Sequence, residues 1–125
     1  MIGLAAAYLH SFLLLVLCVA LSMTVAAHSS SASVWYVSPD GDDSAPGTAA
    51  QPWATIAQAN ARLQPGDAVV LQAGEYRETI RPHVSGRSGE ARITYRGLSS
   101  ARITGVDVGF DLTDRAFITI SGLTV

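Results

Sequence analysis

The sequence predicts an all-β fold of the solenoid type that contains one short helix. The first observation is the stretch Gln64–Arg81, in which a Pro-Gly-Asp turn leads into a run of Val and Leu, followed by a second turn at Gly74. A turn before a short β-branched run is typical of a strand. The second observation is a helical pattern before this stretch, and the third is a series of short Ile-Thr strands after it. This order places Gln64–Arg81 at the first corner of a solenoid.

Residues 1–27 have the pattern of a secretory signal peptide. No Asp, Glu, Lys or Arg precedes Asp40, Phe12–Leu21 is continuously apolar, and Val25–Ala27 supplies small residues for cleavage. Because the first ten residues also lack Lys and Arg, retention of this segment as a membrane anchor stays open, since about 20 apolar residues span a bilayer. The sequence therefore predicts a secreted or cell-surface protein, with residues 28–33 as a linker and no stable membrane partner once the segment is cleaved.

The composition narrows the classes of partner. The formal net charge is −2, and all eight basic residues are Arg, interspersed with ten acids. Without a basic stripe, nucleic acid is not an expected partner. The single cysteine, Cys18, lies in the predicted signal peptide, so the exported chain is expected to contain no disulfide.

The next elements in the chain are a strand, a loop and a helix. Aromatic and β-branched residues predict a strand at Val34–Ser38. Residues 39–52 are rich in Asp, Gly and Pro, which is typical of a loop. A helix is predicted over Trp53–Leu63, with Thr55 as its N-cap. Its narrow stripe at helical spacing consists of Ile56, Ala59, Asn60 and Leu63.

The remaining segments all predict short strands. Within the central stretch these are Ala68–Leu71 and a short strand around Glu78–Arg81. After a polar excursion, the segments Ala91–Tyr95, Ala101–Thr104 and Phe117–Ile120 are rich in Ile and Thr. No long helix separates them, which argues against a sheet of alternating strands and helices.

These segments together resemble one family over the whole of residues 34–125. The strings WYVSPDGDDSAPGT, QPWATIAQANARLQPGDAVVLQAGEYRETI, GEARITYRG and ITISGLTV resemble the N-terminal end of right-handed parallel β-helix proteins of the pectin-lyase-like superfamily, which includes secreted pectate and alginate lyases. The resemblance implies a capping strand, a short α-helix and the first coils of a β-helix. About two coils fit, where solenoids usually need three or more, so we expect a β-helix domain truncated at its C-terminus.

The resemblance also implies a function. We expect an exported β-helix protein related to polysaccharide lyases or hydrolases that act on acidic polysaccharide, with only the non-catalytic front portion present. Catalytic residues in the family come from later coils, so none is assigned and this chain alone is expected to be inactive. The alternatives are a non-catalytic carbohydrate-binding or surface-adhesion β-helix, or a truncated gene fragment.

Two groups of residues are candidate sites. The first comprises basic residues that could meet uronate carboxylates in an acidic polysaccharide, namely Arg77, Arg81, His83 and Arg87. The alternative for this group is a solvated loop. The second comprises Asp40, Asp42 and Asp43, whose oxygens could bind Ca²⁺, the metal implied by the family resemblance. Their spacing lacks the full calcium-loop pattern, so a solvated turn is the alternative.

Overall fold

Short strands make up most of the regular structure in residues 31–125, the part of the chain that the computed structural model describes. In chain order the elements are β1 (Val34–Val37), α1 (Ile56–Arg62), β2 (Ala68–Leu71), β3 (Gly74–Tyr76), a 3-10 turn (Gly89–Ala91), β4 (Ile93–Gly97), β5 (Ala101–Ile103) and β6 (Ile118–Ser121). The predicted all-β fold with one short helix is confirmed for this part of the chain.

The strands pair in parallel. A four-stranded sheet has the order β1-β2-β4-β6, and β3 and β5 form a second, two-stranded sheet. The register aligns Trp35, Val69, Tyr95 and Ile120 across the larger sheet. From β2 to β4, and again from β4 to β6, the chain takes about 25 residues to return to this sheet, which is enough for the crossover that parallel strands require.

Alternate residues of the strands face one hydrophobic core. Val69 and Leu71 of β2 are fully buried, as are Ile93 and Tyr95 of β4. From the smaller sheet, Tyr76 and Ile103 stand in register and are also buried. Burying an aliphatic or aromatic side chain of this size contributes about 1.5–3 kcal/mol, so period-two burial explains why these short strands hold their register.

Helix α1 begins at Ile56 instead of the predicted Trp53. Thr55 caps it as predicted, because its Oγ1 accepts a hydrogen bond from the Gln58 backbone N–H at 3.1 Å. Trp53 instead forms a bridge with Val37 of β1 and is buried. The predicted stripe is confirmed by the burial of all its members, Ile56, Ala59, Asn60 and Leu63.

The Pro-Gly-Asp turn is held together by one buried carboxylate. One oxygen of Asp67 accepts from the Ser33 backbone N–H at 2.9 Å. The other accepts from the Gln64 backbone N–H at 3.0 Å and from the Trp35 indole N–H at 3.2 Å. Asp67 therefore ties the turn before β2 to the start of β1, which brings the two strands into register.

The predicted strand at Glu78–Arg81 is wrong. The strand is β3, which begins at the predicted turn residue Gly74. Gly74 has φ +143°, and a Cβ there would lie 2.6 Å from Pro39 Cγ, so only glycine fits the start of β3 without displacing Pro39. Residues 78–81 make a single isolated bridge, between Ile80 and Phe110, and the Glu78 carboxylate binds the start of α1.

The predicted signal segment, residues 1–27, lies outside the described residues, as does the first half of the linker, residues 28–30. Among residues 31–125, no helix has the length and apolar character needed to cross a membrane.

Candidate functional site

A pocket of about 320 Å³ lies where helix α1 meets the segment that follows β3. The helix contributes residues from its exposed and buried sides, and the following segment contributes alternate residues of an extended stretch. The lining residues are Ala57, Asn60, Thr79, Arg81 and His83. A volume of this size is at the lower end of the range for small-ligand sites.

The helix is fastened to this segment by Glu78. Its carboxylate oxygens accept hydrogen bonds from the backbone N–H groups of Ile56 and Ala57 at 3.0 and 3.1 Å. These N–H groups belong to the first helical turn and have no partner within the helix. Helix α1 and the segment after β3 form the two walls of the pocket, and Glu78 bonds these walls directly to each other.

Asn60 is the buried polar residue of the pocket. It is only 5% exposed, and its Oδ1 accepts a hydrogen bond from the Tyr95 hydroxyl at 2.6 Å. Burial raises the pKa of Tyr95 well above its ordinary value, so this hydroxyl remains a donor throughout the physiological range. Tyr95 thereby fixes the orientation of the Asn60 side chain amide.

Arg81 is paired but still largely exposed. Its guanidinium contacts Asp111 at 2.8 Å, and 69% of the Arg81 side chain remains accessible. Hydrogen bonds from Thr113 lower the pKa of Asp111, and the charge of Arg81 lowers it further. Asp111 is therefore ionised at neutral pH and balances the charge of Arg81.

The segment that carries Thr79, Arg81 and His83 is fixed along its length. The Ile80 backbone N–H donates to Gly109 O, and the Asp111 backbone N–H donates to Ile80 O, each at 2.9 Å. The Thr79 hydroxyl donates to Val108 O at 2.6 Å. Further along, Arg115 Nε donates to Pro82 O at 2.8 Å. These bonds hold the pocket wall without a regular strand.

The pocket brings together two of the four basic residues predicted to bind substrate. Arg81 and His83 line it, but Arg77 and Arg87 do not. The Arg77 side chain instead lies beside Gly105. A Cβ placed on Gly105 would be 3.8 Å from Arg77 Cγ and Cδ. Arg87 is exposed, and its backbone N–H donates to Ala91 O.

Sequence reasoning did not identify Asn60 and Thr79 as site residues. Asn60 was predicted only as part of the apolar stripe of the helix. An amide on an otherwise apolar stripe is the signal that could have marked it, because a buried amide needs partners on more than one side. Nothing in the sequence indicated the pairing of Arg81 with Asp111, which are brought together by the bridge between Ile80 and Phe110.

The acidic loop forms a second pocket, of about 440 Å³, lined by Asp40 and Asp42. Asp43 does not line it, because its carboxylate accepts hydrogen bonds from Ala54 and Thr55 before the helix. Asp42 accepts from Ser44, which lowers its pKa. Among residues 31–125, no three His, Cys, Asp or Glu side chains are grouped so that they could hold a metal ion. The three aspartates are thus not a preformed ligand set, and Ca²⁺ stays a prediction of the resemblance.

Known proteins similar to this chain include one bacterial sequence and several solved structures, although no family model matches. The chain is 33% identical over 112 residues to the uncharacterized protein YwoF of Bacillus subtilis (strain 168), a match that covers 82% of this chain and 24% of YwoF. It therefore spans about a quarter of that relative.

Parts of two solved structures that resemble the chain come from a protein solved with a sugar and from a lacto-N-biosidase. XylC, solved in complex with xylose, is 31% identical with a TM-score of 0.52, over 56% of this chain and 11% of XylC. The GH136 lacto-N-biosidase from Eubacterium ramulus is 30% identical with a TM-score of 0.47, over 61% of this chain and 12% of the enzyme. Each match involves a small part of a much larger protein.

Proposed function

We propose that this chain is a carbohydrate-binding protein built as the cap and opening coils of a right-handed parallel β-helix. The observation that carries the proposal is the likeness to XylC in both sequence and backbone, since XylC was solved with a bound sugar. The pocket beside α1 supports it, because amide, guanidinium and hydroxyl groups are the hydrogen-bonding groups that sugar hydroxyls require.

The β-helix architecture is supported by the repeated return of the chain to the same sheets. Ala68 pairs with Thr94, and Thr94 pairs with Thr119, all in parallel. In the second sheet, Gly74 pairs with Ala101. A spacing of about 25 residues lies in the range of solenoid repeats. A crystal structure of the exported chain tests this architecture, and a flat sheet or a left-handed crossover would contradict it.

The binding function is tested by affinity electrophoresis of the protein through gels that contain xylan, pectate, alginate or rhamnogalacturonan. We expect retardation in at least one gel. The Arg81→Gln variant, which keeps hydrogen-bonding capacity but loses the charge, should be retarded less than wild type. The Arg87→Gln variant is the matched control outside the pocket and should behave like wild type. Equal mobility of wild type in all gels and in a gel without polysaccharide would contradict the proposal.

The enzymatic alternative is a lyase or hydrolase activity on acidic polysaccharide. For this chain we expect binding without cleavage, because the pocket contains no identified base with an orienting partner among the described residues. Incubation with pectate or alginate, followed by ultraviolet absorbance of unsaturated products and an assay of new reducing ends, decides between binding and cleavage, because a lyase gives both signals and a hydrolase gives only the second. A rise in absorbance that depends on the protein would favour the lyase.

Export is the third part of the proposal, and it is supported by the apolar run and small-residue site in residues 1–27. Expression in a bacterial host, followed by N-terminal sequencing of the protein outside the cytoplasm, tests it. We expect a new N-terminus at His28. Recovery of full-length protein from the membrane fraction would indicate the anchor alternative instead.

A further inference from the structure

The charges at the pocket beside α1 do not leave a net cation for an acidic ligand. The guanidinium of Arg81 already contacts the Asp111 carboxylate at 2.8 Å. A second carboxylate, that of Glu78, lies at the start of α1 and binds the N–H of the pocket residue Ala57. A uronate that approached Arg81 would therefore meet a cation that is already paired, with two carboxylates close to the site. Removing the ligand's carboxylate from water would be poorly compensated.

The same pocket suits an uncharged ligand that both donates and accepts hydrogen bonds. Arg81 has five N–H donors, and the pair with Asp111 uses only some of them. Thr79 donates its hydroxyl hydrogen to Val108 O, which leaves the Thr79 oxygen as an acceptor. Sugar hydroxyl groups can bond to both kinds of partner at once, whereas an ionised carboxylate can only accept.

Asn60 supplies a donor whose position is set by the core. Its Oδ1 is bonded to the Tyr95 hydroxyl, and its Nδ2 makes no hydrogen bond to any residue in the described part of the chain. No side-chain polar atom that is closed off from solvent in residues 31–125 lacks a partner. Asn60 lines this pocket, so we place its Nδ2 group there as the donor available to a ligand. Because the amide is more than nine-tenths buried and bonded to Tyr95, a hydrogen bond from it to a ligand would cost little side-chain entropy.

From this geometry we propose that the pocket is a subsite for an uncharged sugar residue, with Asn60 as its fixed donor and the Arg81–Asp111 pair as a charge-balanced wall. The inference rests on the proposed carbohydrate-binding function and deepens it, because it excludes uronates as the preferred ligand of this pocket. It differs from the expectation that Arg81 and His83 bind an acidic polysaccharide, which stays a prediction.

The test is isothermal titration of the full chain at low salt and pH 8, where histidines in general are uncharged. The ligands are tetragalacturonate, its fully methyl-esterified form, xylotetraose and cellotetraose. The first two share one backbone and differ in charge. We expect the esterified form or another neutral tetrasaccharide to bind at least about tenfold more tightly than tetragalacturonate.

The Asp111→Asn variant sharpens the test, because it leaves the charge of Arg81 unbalanced while keeping the size of the side chain. Its affinity for tetragalacturonate should rise about tenfold, and its affinity for the neutral ligand should change little. The control is Asp114→Asn, which removes a nearby exposed negative charge without a contact to Arg81. Equal gains in both variants would overturn the role of the Arg81–Asp111 pair.

The Asn60→Asp variant tests the fixed donor. It keeps an oxygen for Tyr95 but replaces the amide donor with an acceptor, so binding of the neutral ligand should fall at least about tenfold. Thermal unfolding shows whether this variant is folded; if it is not, Asp111→Asn decides the question. Tighter binding of tetragalacturonate by wild type would overturn this inference but keep the proposed function. Binding of none of the four ligands would overturn this inference, whereas the proposed function is contradicted only if none of the polysaccharide gels retards the protein.

Discussion

The two edges of the four-stranded sheet differ in how they are covered. The loop before α1 pairs with the outer edge of β1: Tyr36 N–H donates to Gly47 O, Trp53 N–H donates to Tyr36 O, and Ser38 N–H donates to Trp53 O, each at 2.9 Å. At the opposite edge, no strand of the described residues pairs with the outer side of β6. Ile118 and Ile120 there are only half-buried.

Similar residues in the sheet differ in how deeply they are buried, because the two edges are covered differently. Ile93 of β4 is fully buried, whereas its register partner Ile118 in β6 is not. Phe117, next to Ile118, is 42% exposed. An unpaired edge exposes backbone donors and acceptors as well as apolar side chains. We therefore expect stability to be concentrated at the covered edge.

The largest expected effect is at Trp53 on the covered edge. Trp53 is buried, stacks on Trp35 with ring centroids 4.8 Å apart, and donates its indole N–H to Ala45 O. The Trp53→Ala variant should lose about 3–5 kcal/mol of unfolding free energy, the usual cost of truncating a large buried aromatic residue. Urea denaturation followed by far-ultraviolet circular dichroism measures it. A loss below about 1 kcal/mol would show that the loop before α1 does not stabilise this edge of the sheet.

The next effect is a loss of stability at alkaline pH. Burial raises the pKa of Tyr95, and burial together with the charge of Glu78 raises the pKa of Tyr76. Because both groups hold their protons more tightly when folded, their contribution is complete below the unfolded pKa of about 10 and is lost as pH rises above it.

Unfolding free energy measured from pH 8 to pH 12 checks this expectation. The Tyr95→Phe variant should show a shallower decline, since one of the two groups is removed. At pH 8 it should itself be less stable by about 1–3 kcal/mol, because the Asn60 oxygen loses its partner. A flat profile for wild type would contradict the burial of these hydroxyls in the folded chain.

A smaller effect is expected at the helix cap. Thr55 Oγ1 accepts from the Gln58 N–H, and its hydroxyl donates to Asp43. The Thr55→Ala variant should lose about 1 kcal/mol. The matched control is Thr119→Ala on β6, where the side chain is exposed and the change should stay within about 0.5 kcal/mol. Equal losses in the two variants would remove the distinction between a covered and an open region.

A change no larger than that of Thr55→Ala is expected from Ile120→Lys on the open edge. Ile120 is half-buried, and a lysine can extend its charged end into water. Stability should fall by about 1 kcal/mol or less. Because a lysine on an edge strand opposes pairing with other chains, concentration-dependent association in light scattering should decrease. Unchanged association would show that the β6 edge is not where copies of the chain meet.

The sequence by itself determined the local elements of this protein. Turn residues such as Pro65-Gly66, β-branched runs and the helical stripe are local signals, because they depend on backbone preference and on periodicity within a few residues. The strands β1, β2, β4 and β6 and the helix α1 were therefore predictable to within a few residues. The strand expected at Glu78–Arg81 was wrong, because only Ile80 of that segment finds a backbone bridge, with the distant residue Phe110, and such long-range pairing is not encoded locally.

Only the tertiary structure decided which polar groups meet. The hydrogen bond from Tyr95 to Asn60 and the ion pair of Arg81 with Asp111 join residues that are far apart in the sequence. Their pairing depends on register and on long-range packing, which no local pattern encodes. The net charge at the pocket therefore depends on which of its charged residues are paired. For that reason the sequence indicated basic residues at the site, and the folded chain decided that the charge of Arg81 is balanced.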